Sequence, residues 1–386
     1  MPLKILLISR CAWTLYNFRA GLIAELVDRG HTVVCAGRAD GFEERIRAAG
    51  AEFSALPVSG QGISPAGDLK LLLAIYRLIR QTKPDIVHLF TIKPVIYGAV
   101  AAKLAGAKKI ISTVTGLGFV FTREKGSWLR LLVETMYRVA LLFPETVFFL
   151  NPQDRAVFVD SKLVSPSKAL LLPGEGVDCS HFAPVPLPEG EKPYTVLMIA
   201  RLLKDKGVLE FAGAARLVRQ KAPDARFLLL GPVDTHNPSA LNEQEIAAMQ
   251  QDGAVELLGR TDDVRPFIAD ADVIALPSYR EGLPRVLLEA GAMERPVVAA
   301  DVEGCRDVVV AGATGLLVPK KDEKALAEAF LELMDNAPLR RAMGKAGREL
   351  VLDRFDEKAV CAAIIRQYED KPRPLKAKEK RPEPPQ

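Results

Sequence analysis

Short, wholly apolar runs alternate with longer amphipathic stretches along almost the whole of this chain, and that alternation leaves few folds open. Residues 4–9 (Lys-Ile-Leu-Leu-Ile-Ser) read as a buried strand, a helix runs through residues 18–29 to a stop at Gly30, and residues 33–36 read as the next strand. Runs that are apolar on consecutive positions suit strands buried on both faces, which is the habit of parallel sheets covered by helices. The units repeat, with helix 69–82, strand 86–90, helix 96–104, strand 109–113, strand 146–150, helix 154–163 and strand 169–172. A proline-rich joint at 183–188 interrupts them. The pattern restarts with strand 194–200 and helix 208–221, then strands 226–230, 255–258, 272–276 and 296–300, a turn and short strand over 312–319, and helices near 323–336, 338–354 and 357–368. The expected class is α/β, with two Rossmann-like, doubly wound domains facing each other across a cleft. Their expected bounds are 1–183 and 190–354. A C-terminal helix within 355–370 is expected to cross back to the first domain, and the tail 371–386, rich in Pro, Lys, Arg and Glu, is expected to be disordered.

At 386 residues the chain is long enough for two or three such domains. Its five cysteines are scattered and form no C-x-x-C pair, so a disulfide framework or zinc site is not expected and a reducing cytoplasm fits. No signal peptide is read ahead of the first strand, and no apolar run reaches the roughly 18 residues of a membrane span. The net charge of +4 is uneven, +6 over residues 1–190, −6 over 191–370 and +4 over 371–386, which favours an anionic partner for the first half and the tail.

The densest chemistry follows the apolar run 272–276. Pro277-Ser278-Tyr279-Arg280-Glu281-Gly282-Leu283-Pro284-Arg285-Val286-Leu287-Leu288-Glu289-Ala290-Gly291 leaves a strand, breaks at Gly282 and Pro284, and enters a helix over 286–293. Glu281 then stands in the loop at the strand's C-terminal end and Glu289 two turns into the helix. Between them lies a helix N-terminus, whose unbonded N–H groups and dipole favour an anion. Glutamate is common on helices, so the plain alternative is one Glu in a turn and another on an ordinary amphipathic face. Against it, Glu289 is set among Val286, Leu287, Leu288, Ala290 and Ala292, where an unpaired carboxylate is costly. Two hydroxyl acceptors flanking a phosphate seat suit a nucleotide sugar. Between strand 194–200 and helix 208–221, Arg201-Leu202-Leu203-Lys204-Asp205-Lys206-Gly207 adds two cations that can grip a diphosphate without metal, the guanidinium by forked hydrogen bonds and the ammonium as a compact charge.

Together these stretches resemble the R-x4-K-G and E-x7-E signatures of the retaining glycosyltransferases of family 4, which have the GT-B fold, and the resemblance covers nearly all of residues 3–368. It implies catalytic roles for Arg201, Lys206 and Glu281, and a donor site of Arg201, Lys206, Arg260, Glu281, Gly282, Leu283, Pro284, Arg285 and Glu289. Glu281 would contact the donor sugar, Glu289 the ribose, and the loop Gly259-Arg260-Thr261-Asp262 the base. In the first half no G-x-G-x-x-G follows the first strand. Instead the loop Arg10–Arg19 resembles the N-F-R variant of the subgroup that builds polyprenyl-linked oligosaccharides. Thr91-Ile92-Lys93-Pro94 and Thr115-Gly116-Leu117-Gly118, each after a strand's C-terminal end, resemble that subgroup's T-I-K-P…T-G-L-G pair. Asn17, Arg19, Lys93, Thr115 and Gly116 are thereby expected to face the acceptor; Arg19 as a solvated helix-start residue stays open beside this. Thr115 stands where many family members carry a histidine, Glu303 where small residues or proline are usual, and Gly174–Asp178 matches the turn that closes the family's first domain. His88, inside a strand, reads as a core histidine with satisfied hydrogen bonds.

The activity implied is retaining transfer of a sugar, an N-acetylhexosamine such as N-acetylgalactosamine, from a UDP-sugar to a polyprenyl-diphosphate-linked saccharide in bacterial glycan or glycoprotein assembly. No cofactor is expected, and no metal, since no Asp-x-Asp stands at a strand end; no nucleic-acid partner is expected either. Arg123, Lys125, Trp128, Leu129 and Arg130 are expected to touch an anionic membrane surface, placing the protein on the cytoplasmic face of the inner membrane. A helix that merely covers the sheet is the alternative there. Two rival functions share the fold, a sugar-nucleotide epimerase and a catalytically silent binding subunit. The first lacks a His or carboxylate pair placed for acid–base work in the first domain, and the intact Arg201, Lys206, Glu281 and Glu289 set argues against the second.

Overall fold

In the computed structural model, which describes residues 1–59, 64–117, 121, 127–186, 192–234 and 237–370, the apolar runs become two sheets whose strand pairs are all parallel. The first holds β1 (Lys4–Cys11), β2 (Thr32–Arg38), β3 (Glu52–Ala55), β4 (Ile86–Phe90), β5 (Lys109–Val114), β6 (Thr146–Phe149) and β7 (Ala169–Leu171), in the spatial order β3-β2-β1-β4-β5-β6-β7. The second holds β8 (Thr195–Ile199), β9 (Arg226–Leu230), β10 (Glu256–Gly259), β11 (Val273–Leu276), β12 (Val297–Ala300) and β13 (Gly315–Val318), in the order β10-β9-β8-β11-β12-β13. Each order reverses once, between β1 and β4 and between β8 and β11. Doubly wound sheets bind ligands beside such a reversal, at the carboxyl ends of the strands.

Helices α1 (Ala12–Asp28), α2 (Glu43–Ala48), α3 (Pro65–Thr82), α4 (Ala99–Ala105), α5 (Trp128–Ala140) and α6 (Pro152–Asp160) connect the first sheet; a π-helical turn, Pro94–Gly98, leads into α4. The second sheet is connected by α7 (Val208–Lys221), α8 (Glu243–Asp252), α9 (Arg265–Asp270), α10 (Arg285–Ala292) and α11 (Glu303–Arg306), and followed by α12 (Glu323–Asp335), α13 (Ala337–Arg354) and α14 (Glu357–Glu369). One core packs Leu6, Ile75, Leu89 and Phe158; the second sheet is sandwiched between clusters around Phe211 and Phe330 on one side and around Leu287 and Phe355 on the other.

The chain divides into two units, Pro173–Val360 and Met1–Leu172, the latter joined by the chain from Cys361 on. The division falls at 172/173 and not at the proline-rich joint, because the turn after Pro173 is stitched to the second unit. Val177 N donates to Phe355 O at 2.9 Å and Glu357 N donates to Val177 O at 3.0 Å. The proline-rich stretch is itself fixed there by Arg295, a guanidinium with no solvent exposure whose five N–H groups meet five carbonyls, those of Val185, Pro186, Ile268, Ala269 and Met293, at 2.6–3.3 Å. The tail expectation for 371–386 lies outside the described residues.

Sequence patterning passes over α2, β3, α8 and α11. The first two are short, and β3 has no buried residue. α8 did carry a signal, the N-x-x-E capping box of Asn242 and Glu245. α1 begins at Ala12, so the segment read as a loop through Arg19 is helical. No glycine or proline stands between Ala12 and Arg19 to prevent it.

Candidate active site

Two loops meet beside the β8/β11 reversal. After β8 the chain turns through a 3₁₀ turn, Lys204–Lys206, and Gly207 at φ 73° before entering α7. A Cβ on Gly207 would lie 2.2 Å from Pro277 O, so only glycine lets this loop approach the one leaving β11. The backbone then ties them, Tyr279 N donating to Asp205 O at 2.8 Å, and the Tyr279 hydroxyl donates to Glu210 Oε1 at 2.6 Å. From the far side Gly304 packs against the same loop, where a Cβ would come within 2.5 Å of the carbonyl oxygens of Glu281 and Gly282. In this frame Lys206 Nζ contacts Glu281 Oε1 at 2.6 Å, with side-chain exposures of 24 % and 11 %.

The helix α10 opens at Pro284, and no side chain caps its start. One turn in, Arg285 Nε lies 2.9 Å from Glu289 Oε1, an i,i+4 pair. Burial raises the Glu289 carboxyl above its ordinary range, and Arg285 pulls it back in part. Nearby, a cavity of about 170 Å³ lies at the ends of β8 and β9, lined by Ile199, Arg201, Leu230, Pro232, Arg260 and Val264 among others. That is small beside the several hundred Å³ of a drug-sized site, so it suits a flat ring and not a whole nucleotide sugar. Arg201 Nη1 meets Asp234 Oδ2 at 2.7 Å, and Arg260 Nη2 stands 3.8 Å from Asp262 Oδ1. Asp234, Tyr279 and Glu210 were not singled out in the sequence. Only the strand order, which sets β9 beside β8, brings Asp234 to Arg201. Among the described residues no group of three or more His, Cys, Asp or Glu side chains is placed to hold a metal ion.

The residues singled out in the first unit do not converge in this way. Asn17 Nδ2 donates to Trp13 O at 2.9 Å within α1. Arg19 is not solvated; only 5 % exposed, it donates to Phe18 O and stacks over the Phe90 ring at 4.4 Å. After β4, Thr91 takes φ 67°, rare for a β-branched residue, and sends the chain into the π-helical turn. Lys93 then points its ammonium at Asp68 Oδ1, 2.9 Å away, and at Ser59 Oγ at 2.5 Å; Asp68, 4 % exposed, also accepts from the Tyr97 hydroxyl at 2.9 Å. Thr115 and Gly116 follow β5 and are half-buried. His88, wholly buried in β4, bonds Tyr368 Oη at 2.6 Å and Thr113 Oγ1 at 2.7 Å, and burial holds its imidazole well below its ordinary value.

Of the five residues expected at a membrane, Arg123 and Lys125 lie outside the described residues. Trp128 is 73 % exposed. Arg130 does not qualify: it is buried, its Nε 2.8 Å from Glu134 Oε1 and its guanidinium over the Phe121 ring. Leu129 is only half-exposed. Helical period instead aligns Trp128, Leu131, Leu132, Val139 and Leu142 as the exposed apolar face. Among the described residues no helix is long and apolar enough to cross a membrane.

Residues 193–336 match the family model for group 1 glycosyl transferases, and residues 4–146 the model for glycosyl transferase 4-like domains. The N,N'-diacetylbacillosaminyl-diphospho-undecaprenol alpha-1,3-N-acetylgalactosaminyltransferase of Campylobacter jejuni is 26 % identical, over 95 % of this chain and 98 % of that protein. The UDP-Gal:alpha-D-GlcNAc-diphosphoundecaprenol alpha-1,3-galactosyltransferase of Escherichia coli is 28 % identical over 78 % and 79 %. Among solved structures, Anabaena HepE in complex with UDP and glucose superposes with a TM-score of 0.77 at 18 % identity, over 95 % of this chain and 99 % of that one.

Proposed function

The chain belongs to the family-4 glycosyltransferases of GT-B fold, and on that premise we propose that it moves an N-acetylhexosamine from a UDP-sugar to a polyprenyl-diphosphate-linked saccharide in bacterial glycan assembly, with retained configuration and no required metal. The observation that carries this reading is the Lys206–Glu281 pair, beside Arg201 and the uncapped start of α10 at the β8/β11 reversal. Arg201, Lys206 and the first amides of α10 hold the diphosphate, Glu281 a sugar hydroxyl and Glu289 a ribose hydroxyl, while the base enters the small cavity. As the bond from the anomeric carbon to the phosphate oxygen breaks, the same cations stabilise the charge left on UDP. The acceptor hydroxyl forms the new bond on the same face, its proton passing to the departing phosphate. Incubating the protein with a panel of UDP-sugars and a defined polyprenyl-diphosphate saccharide, with and without chelator, tests this. Acceptor-dependent release of UDP and an α-linked product from an α-linked donor are expected in both; activity that needs added Mn²⁺ or Mg²⁺ overturns the metal-free step.

The acceptor's lipid keeps its diphosphate at the headgroup level, so the enzyme must come to the bilayer. The outward face of α5, with Trp128 and Leu131, supports contact by that helix on the cytoplasmic leaflet. Trp128→Ser with Leu131→Ser is expected to reduce sedimentation with anionic vesicles and activity on full-length lipid acceptor. Activity on a short soluble analogue is expected to persist, and equal loss on both acceptors would count against the helix as a membrane contact.

A further inference from the structure

Each of the four cations at the second unit's site stands beside a carboxylate: Arg201 by Asp234 at 2.7 Å, Lys206 by Glu281 at 2.6 Å, Arg285 by Glu289 at 2.9 Å and Arg260 by Asp262 at 3.8 Å. In the proposed reaction Glu281 and Glu289 turn to hydroxyls of the donor. Asp262 is 54 % exposed and beyond hydrogen-bond length from its arginine. Asp234 has neither a hydroxyl to turn to nor distance from its cation. It is also held in place, for its loop is hydrogen-bonded along the Arg201 loop. Leu202 N donates to Pro232 O at 3.1 Å, Lys204 N to Ser239 O at 2.7 Å and Asp205 N to Ser239 Oγ at 3.1 Å. At 22 % exposure Asp234 is the more buried of the pair, against 48 % for Arg201.

We propose that Asp234 is an affinity-setting residue, a built-in counter-anion that competes with the diphosphate of the nucleotide for the Arg201 guanidinium. Asp234 Oδ2 already accepts from Arg201 Nη1, so a phosphate that takes the same N–H group must displace or share that bond. A phosphate therefore gains less from Arg201 than it would from an unpaired arginine, and UDP leaves more readily after transfer. The inference rests on the reading of this site as a nucleoside-diphosphate site. Titrating UDP into the full chain by calorimetry tests both. Asp234→Asn, close to isosteric, is expected to tighten UDP binding about two- to fivefold, the measure of one partly exposed ion pair. The gain is expected to vanish in Arg201→Ala/Asp234→Asn, as a double-mutant cycle requires. Wild-type protein that binds UDP, with Asp234→Asn no tighter or weaker, overturns the inference alone. A gain that persists without Arg201 overturns it as well, since Asp234 would then act through the general field. Wild-type protein that binds no UDP overturns the nucleotide reading beneath it.

Discussion

Arg201, Lys206, Glu281 and Glu289 in the second unit are gathered by two loops bonded to each other, whereas Asn17, Arg19 and Lys93 in the first are each held by neighbours of their own. The difference lies in what a motif fixes. E-x7-E spans one loop and the helix that the loop enters, so a single short segment of chain carries both carboxylates. The first unit's cations come from separate elements, and nothing in their spacing says whether a charge meets a ligand or closes a gap in the core. Arg19 lies over Phe90, and Lys93 neutralises a buried Asp68.

The largest expected effect tests that contrast in the first unit. Lys93→Met leaves Asp68 as an uncompensated buried carboxylate, and a loss of roughly 3 kcal/mol in urea unfolding is expected, near the low end for a broken buried pair because Tyr97 still donates to it. If stability stays within about 0.5 kcal/mol and only the KM for the lipid acceptor rises, Lys93 is a ligand cation like Lys206 and the contrast collapses. Next in size, Lys206→Ala is expected to lower kcat about 10²-fold in a UDP-release assay, the cost of one transition-state charge donor, with the melting temperature little changed. A large loss of stability with it would make Lys206 a packing cation after all.

Glu289→Gln sharpens the comparison from within the second unit. Turnover is expected to fall at least tenfold, about the value of one charge-assisted hydrogen bond. The wild-type carboxyl, raised by burial, binds its proton more tightly folded than unfolded, so wild type loses stability as pH rises through the carboxylate range. Glutamine does not titrate, so the variant's melting temperature relative to wild type is expected to climb between about pH 4 and pH 7. A difference that is flat with pH would mean that Arg285 fully compensates the buried charge.

Strands were legible wherever they were buried on both faces, as in β1, β4, β8 and β11, because continuous apolar runs have few other uses. β3 was not, since none of its residues is buried. Within the site, Arg201 with Lys206 and Glu281 with Glu289 could be read because each pair sits on one short segment of chain. Asp234 and Glu210 could not, as each reaches the site only through strand order or helix packing. Arg130 was misjudged by one helical step: charge beside a tryptophan suggested a surface, but the helical period turns Arg130 inward under Phe121 and leaves Leu131 outside.

The first unit is not one stretch of chain. Its core histidine, His88, waits for Tyr368, and between them in sequence stands all of Pro173–Val360. On a ribosome adding about 5–20 residues per second, the sheet of the first unit is made on the order of ten to forty seconds before its last partner emerges. Throughout that interval the imidazole lacks one of the two hydrogen bonds it makes in the finished unit. A premature stop or a cleavage just ahead of Cys361 therefore injures the unit at the opposite end of the message, leaving the half proposed to bind the nucleotide complete and the half proposed to meet the acceptor unfinished.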